Sequence, residues 1–195
     1  MAHMRSTLRR TVAPAAVLSY PEVKDHCNVD HDDDEAYIVG LIHAATAYMD
    51  GPDGVLGLAL CTQTYELDVD GLPENLMLPI APVQSWSATY YDADNVSQAL
   101  GAGTYRLHSG LSGAYLKQDA TQSVPSVYSR DDAATFTLVC GYGEPSSVPK
   151  DLVQAMLMLI GHWYANRESV AVGTITGTVP MAFDAIVARY KRVIW

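Results

Sequence analysis

Between residues 35 and 49 the apolar positions recur at helical spacing. Ile38, Leu41, Ile42, Ala45 and Met49 fall at i, i+3, i+4, i+7 and i+11, one stripe of an amphipathic helix. Asp32 and Glu35 have the spacing of a capping box, and Asp32, Asp33, Asp34 and Glu35 crowd carboxylates at the positive end of the helix dipole. Small residues Gly40, Ala44 and Ala47 flank the stripe, an arrangement that lets a second helix approach closely. A shorter helix precedes it. Ser19, Pro21 and Glu22 predict a start there, with an end near Cys27.

After Gly51-Pro52-Asp53-Gly54 the period changes from that of a helix to that of a strand. From Leu58 to Gly143 the chain alternates apolar with polar residues and is rich in β-branched and aromatic side chains, as in 62–69 and 83–91. Further strands are predicted over 104–108, 114–118 and 134–140, with turns at Asp70-Gly71, Asp92-Ala93-Asp94-Asn95, Ser109-Gly110 and Ser112-Gly113. Five or six short antiparallel strands make a small sheet or sandwich. Helix returns at Pro149 and is expected to last to about Arg167; its run from Leu152 to Ile160 is apolar nearly throughout, which predicts burial on more than one side. Residues 170–179 read as a loop or hairpin. Pro180 then opens a last helix with Phe183, Ile186, Val187, Tyr190 and Ile194 on one face.

These elements predict an α+β fold: a helical core of residues 14–57 and 144–195 interrupted by a β insertion over 58–143. Residues 1–13, opening Met1-Ala2-His3-Met4, read as a tag-like, disordered segment outside the fold. A hydrophobic fraction of 49% and a charged fraction of 17% are those of a folded protein rather than a disordered one. The longest apolar stretch, 155–160, is far shorter than the roughly 20 residues that span a bilayer, so no membrane partner and synthesis in the cytoplasm are expected. Cys27, Cys61 and Cys140 stand singly, as buried free thiols would.

Charge is unevenly spread over a net of −10. Residues 11–164 hold 20 acids and five bases, while Arg9, Arg10, Arg189, Lys191 and Arg192 make both ends basic. An acidic body lacks the cations that grip nucleic-acid phosphates. The final residues, Tyr190, Lys191, Arg192, Val193, Ile194 and Trp195, combine basic and apolar side chains, and a docking tail is one reading of them beside ordinary packing on the parent domain.

Candidate chemistry is sparse. Asp30-His31-Asp32-Asp33-Asp34-Glu35 begins like a calcium loop, but Glu35 stands at the sixth position, which needs glycine, and Leu41 at the twelfth, which needs glutamate. Gly110-Leu111-Ser112-Gly113-Ala114 lacks the last glycine of a hydrolase elbow and its strand-turn-helix setting. His26, His43 and His162 form no pair at metal-ligand spacing. A small hydrolase or metal enzyme built from these histidines, Cys27 and Asp32–Asp34 remains one alternative. A cytoplasmic protein-binding module using the β insertion is another. No catalytic residue, cofactor or metal is assigned.

Taken in order, several segments resemble the head-tail connector, or adaptor, family of long-tailed phages and phage-like gene transfer agents, from about Pro14 to Tyr190. They are Val17-Leu18-Ser19 with Glu22, Lys24 and His26; Val29 to Asp34; Leu41 to Ala45; Thr62 to Leu67; Leu78 to Val83; and Tyr90-Tyr91-Asp92. Gly141-Tyr142-Gly143, Val148-Pro149, Gln154-Ala155, His162 to Glu168 and Val179-Pro180 continue the match. Asn28 replaces a basic residue, Tyr65 a tryptophan and Asn95 a turn glycine.

The resemblance implies a structural, non-enzymatic virion protein at the head-tail interface, made in a bacterial cytoplasm. Its partners would be the portal, a stopper or tail-side connector and other copies of itself, in a ring of about a dozen. Double-stranded DNA would pass through the ring without specific binding. Tyr190 to Trp195 would dock on the portal, and Asp32, Asp33, Asp34 and Glu35 would lie at a subunit interface or the lumen.

Overall fold

The computed structural model describes residues 6–110, 113–167 and 181–192, and these form a mixed α+β protein. In chain order the elements are β1 (Ser6–Val12), α1 (Tyr20–His26), α2 (Glu35–Met49), β2 (Gln63–Val69), β3 (Asn75–Met77), β4 (Val83–Tyr91) and β5 (Ser97–Ala99). Then come β6 (Tyr105–Gly110), β7 (Gly113–Gln118), β8 (Ala134–Cys140), a 3-10 turn at Pro145–Ser147, α3 (Lys150–Ala165) and α4 (Met181–Tyr190). The chain divides into two compact units, one of residues 6–14 and 62–141 and one of residues 15–61 and 142–192.

The first unit holds an antiparallel five-stranded sheet in the order β1-β2-β8-β4-β5 and a three-stranded sheet in the order β3-β7-β6. Strict alternation decides which face is core. Tyr65, Leu67 and Val69 of β2 and Ala134, Phe136, Leu138 and Cys140 of β8 are buried, while Thr64, Glu66, Asp68, Thr135 and Thr137 between them are half-exposed. Tyr105 of β6 packs edge-on against Phe136 and Trp86, with ring centroids 5.6 and 6.0 Å away, so one aromatic cluster ties the two sheets together.

β1 corrects the reading of residues 1–13 as tag-like and disordered. Leu8 lies half-buried opposite Leu67, and Arg9 on the other face bonds Glu66 (2.6 and 2.9 Å) and Asp68 (2.5 Å), two carboxylates presented by alternate residues of β2. A strand recognised only through its partner shows little periodicity of its own. β3 and β5, three residues each, are too short to show any. Ser109-Gly110, read as a turn, belongs to β6. Asn28 and Asn95 both have left-handed backbone, with φ of 53° and 59°. Asparagine tolerates that conformation better than most other residues with a Cβ, which explains its use at both positions.

In the second unit Glu22 reaches back to Ser19, accepting hydrogen bonds from its backbone N–H at 2.8 Å and its hydroxyl at 2.7 Å, and so fixes the start of α1. Ile38, Leu41, Ile42, Ala45 and Met49, the stripe expected of α2, are its buried residues. Its cap position is Asp34, not Asp32, and neither carboxylate caps the helix: both are drawn to cations elsewhere. Among the described residues nothing lies within 4 Å of a Cβ placed at Gly40, so none of the described helices approaches at this point.

Within this chain α3 is fully buried on one side. Its fully buried residues, Leu152, Ala155, Met156, Leu159 and Ile160, form a single stripe, while Val153, Leu157 and Met158 remain half-exposed. α4 packs against α3 through Phe183 and Val187. The predicted loop over 170–179, Pro180 and Ile194 lie outside the described residues. Among the described residues no helix is long and apolar enough to cross a membrane.

Candidate functional site

The acids of residues 32–35 do not form one cluster. Asp32 accepts hydrogen bonds from Lys24 Nζ at 2.5 Å and the Tyr20 hydroxyl at 3.1 Å, which ties the linker to α1. Asp34 turns toward the C-terminal end of α3, where it accepts from the Tyr164 hydroxyl at 2.6 Å and from the Arg167 guanidinium at 2.5 and 3.2 Å. Arg167 also lies over the rings of Tyr37 and Tyr164, 4.7 and 4.5 Å from their centroids. Asp33 and Glu35 stay exposed.

Electrostatics follow this division. The Arg167 guanidinium, helped by the Tyr164 hydroxyl, holds the Asp34 carboxyl down to about 2. Lys24 and then Tyr20 lower Asp32, and the same pairing raises Lys24. Two of the four acids are therefore internal fasteners of the helical unit. Asp33 and Glu35 are left exposed to solvent.

The C-terminal segment is also partly fastened. The Tyr190 hydroxyl bonds the Asp151 carboxylate at 2.8 Å, and Arg189 reaches the same group at 3.4 Å, so α4 returns to the first turn of α3. That hydrogen bond to Asp151 raises the Tyr190 hydroxyl above the usual tyrosine range. The Arg192 N–H donates to the Leu56 carbonyl at 2.9 Å, and the Lys191 side chain is exposed. Val193, Ile194 and Trp195 lie outside the described residues. Tyr190, expected both on the apolar face of the last helix and in a docking tail, is half-buried at the end of α4 and bonded to α3.

The residues considered for chemistry are dispersed. His26 and His43 are exposed, His162 is half-buried beside the Asn166 amide, and the half-buried Cys27 thiol is pushed up by burial. A raised thiol is a poor nucleophile at neutral pH. Among the described residues no three His, Cys, Asp or Glu side chains are grouped as metal ligands would be.

No protein-family model matches the sequence, and no curated protein matches it. Solved structures do. The chain is 22% identical to a chain of the virion of a native gene transfer agent particle, with 97% of each chain covered and a TM-score of 0.77. It is 22% identical to a chain of the neck of an empty gene transfer agent particle computed with C6 symmetry, again with 97% of each covered and a TM-score of 0.76. A chain from the neck of a native particle computed with C12 symmetry gives 20% identity, the same coverage and a TM-score of 0.70. The likeness therefore extends over nearly the whole fold, both units included.

Proposed function

We propose that this chain is a structural component of the neck of a phage-like or gene transfer agent particle, an adaptor that forms a ring below the portal. The observation that carries the reading is end-to-end likeness of fold to chains from particles and necks whose structures were computed with C6 and C12 symmetry. A likeness confined to one unit would speak for a shared module. Coverage of 97% in both directions speaks for a shared architecture. Each copy needs two unlike, complementary faces if a rotationally repeated contact is to close into a ring.

In this reading the acidic body serves DNA passage, since exposed carboxylates such as Asp33 and Glu35 repel phosphates that basic side chains would hold. Lys191 and Arg192, together with Val193, Ile194 and Trp195, are the proposed contact with the portal, and a stopper or tail-side connector would bind the opposite rim.

Sedimentation of the full chain with purified portal tests this, against a chain ending at Arg192. A cut before Pro180 would remove Phe183 and Val187 from the core and confuse unfolding with lost docking. Co-sedimentation by the full chain and its loss in the shortened one support the adaptor reading. A full chain that stays monomeric and apart from portal under every condition overturns it in favour of a protein-binding module of another kind.

A further inference from the structure

The outer side of the three-stranded sheet carries a cation pair that the chain compensates only in part. Leu76 of β3, Leu116 of β7 and Leu107 of β6 turn inward, so Met77, Tyr115, Lys117, Arg106 and His108 between them face out. Arg106 and Lys117 stand directly opposite each other, and like charges so placed, with Cβ atoms roughly 5 Å apart, repel. Asp119 pairs with Arg106 at 2.6 Å. Lys117 has no ion pair among the described residues, and the exposed Glu74 ahead of β3 does not supply one. One row further along the strands the His108 and Tyr115 rings stack with centroids 5.0 Å apart, beside Met77, which is 55% exposed. Tyrosine, methionine and arginine are enriched at protein interfaces, so the cation row and the ring row together suit an anionic protein partner.

The helical unit presents the opposite charge. Asp32 is fastened to Lys24 and Tyr20, and Asp34 to Tyr164 and Arg167, so the turn that carries Asp33 is pinned on both sides. Asp33 itself, its side chain 96% exposed, has only His31 Nδ1 nearby, at 4.0 Å. A charge held out on a fixed turn gives up little freedom on binding. Beyond it α2 shows solvent Ala36, Gly40 and Ala44 at i, i+4 and i+8, one face with no side chain larger than a methyl group. A sheet bearing rings and a thioether can come close to such a face. The spacing also fits: Ala36 lies about one helical turn, ~5 Å, beyond Asp33, and the ring row lies about 7 Å from the cation row along β7.

We infer, on the ring reading above, that neighbouring copies meet through these two surfaces. Asp33 of one copy lies against the Lys117–Arg106 pair of the next, and Met77, Tyr115 and His108 rest on the small-residue face of α2 behind it. Double-stranded DNA is also anionic, but a chain of net charge −10 with one such pair lacks the run of cations that holds phosphates. A neighbouring copy has the same net charge, yet it adds apolar burial, and charges beyond roughly 8 Å are screened at physiological salt. The two surfaces differ, so the contact is heterologous: every pair leaves one of each free, and addition continues until a ring closes. Asp33 is thereby assigned to the seam between copies, and Glu35 is left to the passage.

Full chains with one reversed charge test the contact by sedimentation, with portal as template where needed. Lys117 and Asp33 are both exposed, so Lys117→Glu and Asp33→Lys should each melt like wild type. Each variant alone is expected to assemble at least about tenfold more weakly than wild type, because like charges then face each other. Mixed in equal amounts, the two are expected to assemble to within about threefold of wild type, since each carries the surface that the other's reversed charge fits. Met77→Asp is expected to weaken assembly as well, and neither reversal to restore it. Single variants that assemble like wild type, or a mixture no better than its parts, overturn this contact alone. Loss of binding to a labelled DNA duplex by Lys117→Glu, with assembly unchanged, overturns it in favour of phosphates. A wild-type chain that never assembles, with or without portal, overturns both this contact and the ring reading beneath it.

Discussion

Asp34 and Arg167 stand 133 residues apart in sequence, yet the carboxylate of one accepts two hydrogen bonds from the guanidinium of the other. The pair joins the start of α2 to the end of α3, and the Tyr37 and Tyr164 rings hold the guanidinium plane in place. Arg167→Lys keeps the charge but loses the planar fork and most of the stacking. We expect it to lower the melting temperature by a few degrees, nearly as much as Arg167→Gln, in thermal unfolding followed by circular dichroism. A lysine variant that melts like wild type would mean that charge alone holds the joint.

The same pair makes stability depend on acid. Asp34 is held at about 2 in the folded chain, against roughly 3.9 when unfolded. A depressed carboxyl contributes stability that is complete above the unfolded value and is lost as pH falls through the folded one. Between roughly pH 4 and 2, wild type should therefore lose stability more steeply than Asp34→Asn, and the two curves should converge at the acid end. Parallel curves in urea titrations at pH 5, 4, 3 and 2 would contradict this.

Two glycines give opposite expectations. A Cβ at Gly54 would lie 2.6 Å from the Asp50 carbonyl oxygen and 2.7 Å from backbone atoms of Met49, none of which can move without unwinding the end of α2. Gly54→Ala should cost about 1–3 kcal/mol. At Gly161, within α3, the nearest atom is Nε2 of His26 at 3.3 Å, the far end of an exposed side chain that can swing aside. Gly161→Ala should therefore be neutral or stabilising by up to about 1 kcal/mol through helix propensity. Chemical denaturation of both variants decides the matter; a marked loss at Gly161 would show that His26 is held in place.

β1 supplies a fourth test. A chain lacking residues 1–13 leaves one side of β2 unpaired and takes Arg9 from Glu66 and Asp68. Its five-stranded sheet should lose stability, with amide hydrogen exchange in 63–69 faster than in the full chain while α2 and α3 are unchanged. Equal exchange in β2 would restore the view of this segment as an appendage.

What the sequence disclosed depended on how locally each element is determined. β8 is visible from end to end because its alternation over 134–140 matches its buried and half-exposed faces, whereas β4 is marked by its β-branched and aromatic residues, its burial over 83–91 not alternating. α2 is visible because its buried stripe lies within one stretch. β1 is not, since what makes it a strand is β2, more than 50 residues away. The acids of 32–35 were legible as a group but not in their roles, because the partners that separate Asp32 from Asp34 lie on α1 and at the end of α3. At Asn95 the positive φ predicts that Asn95→Gly stays within about 0.5 kcal/mol of wild type and that Asn95→Val loses about 1–2 kcal/mol.

The chain passes between its two units near residues 14, 61 and 141, so neither unit is one continuous piece. During synthesis the five-stranded sheet cannot be completed until β8 has left the ribosome, by which time the helical unit has α1 and α2 but neither α3 nor α4. Its apolar stripe, Ile38 through Met49, must wait for α3 at 150–165 before it is covered. Late completion has a consequence for fragments: a chain truncated between residues 140 and 150 keeps every strand of the five-stranded sheet but leaves the apolar stripe of α2 without α3 to cover it.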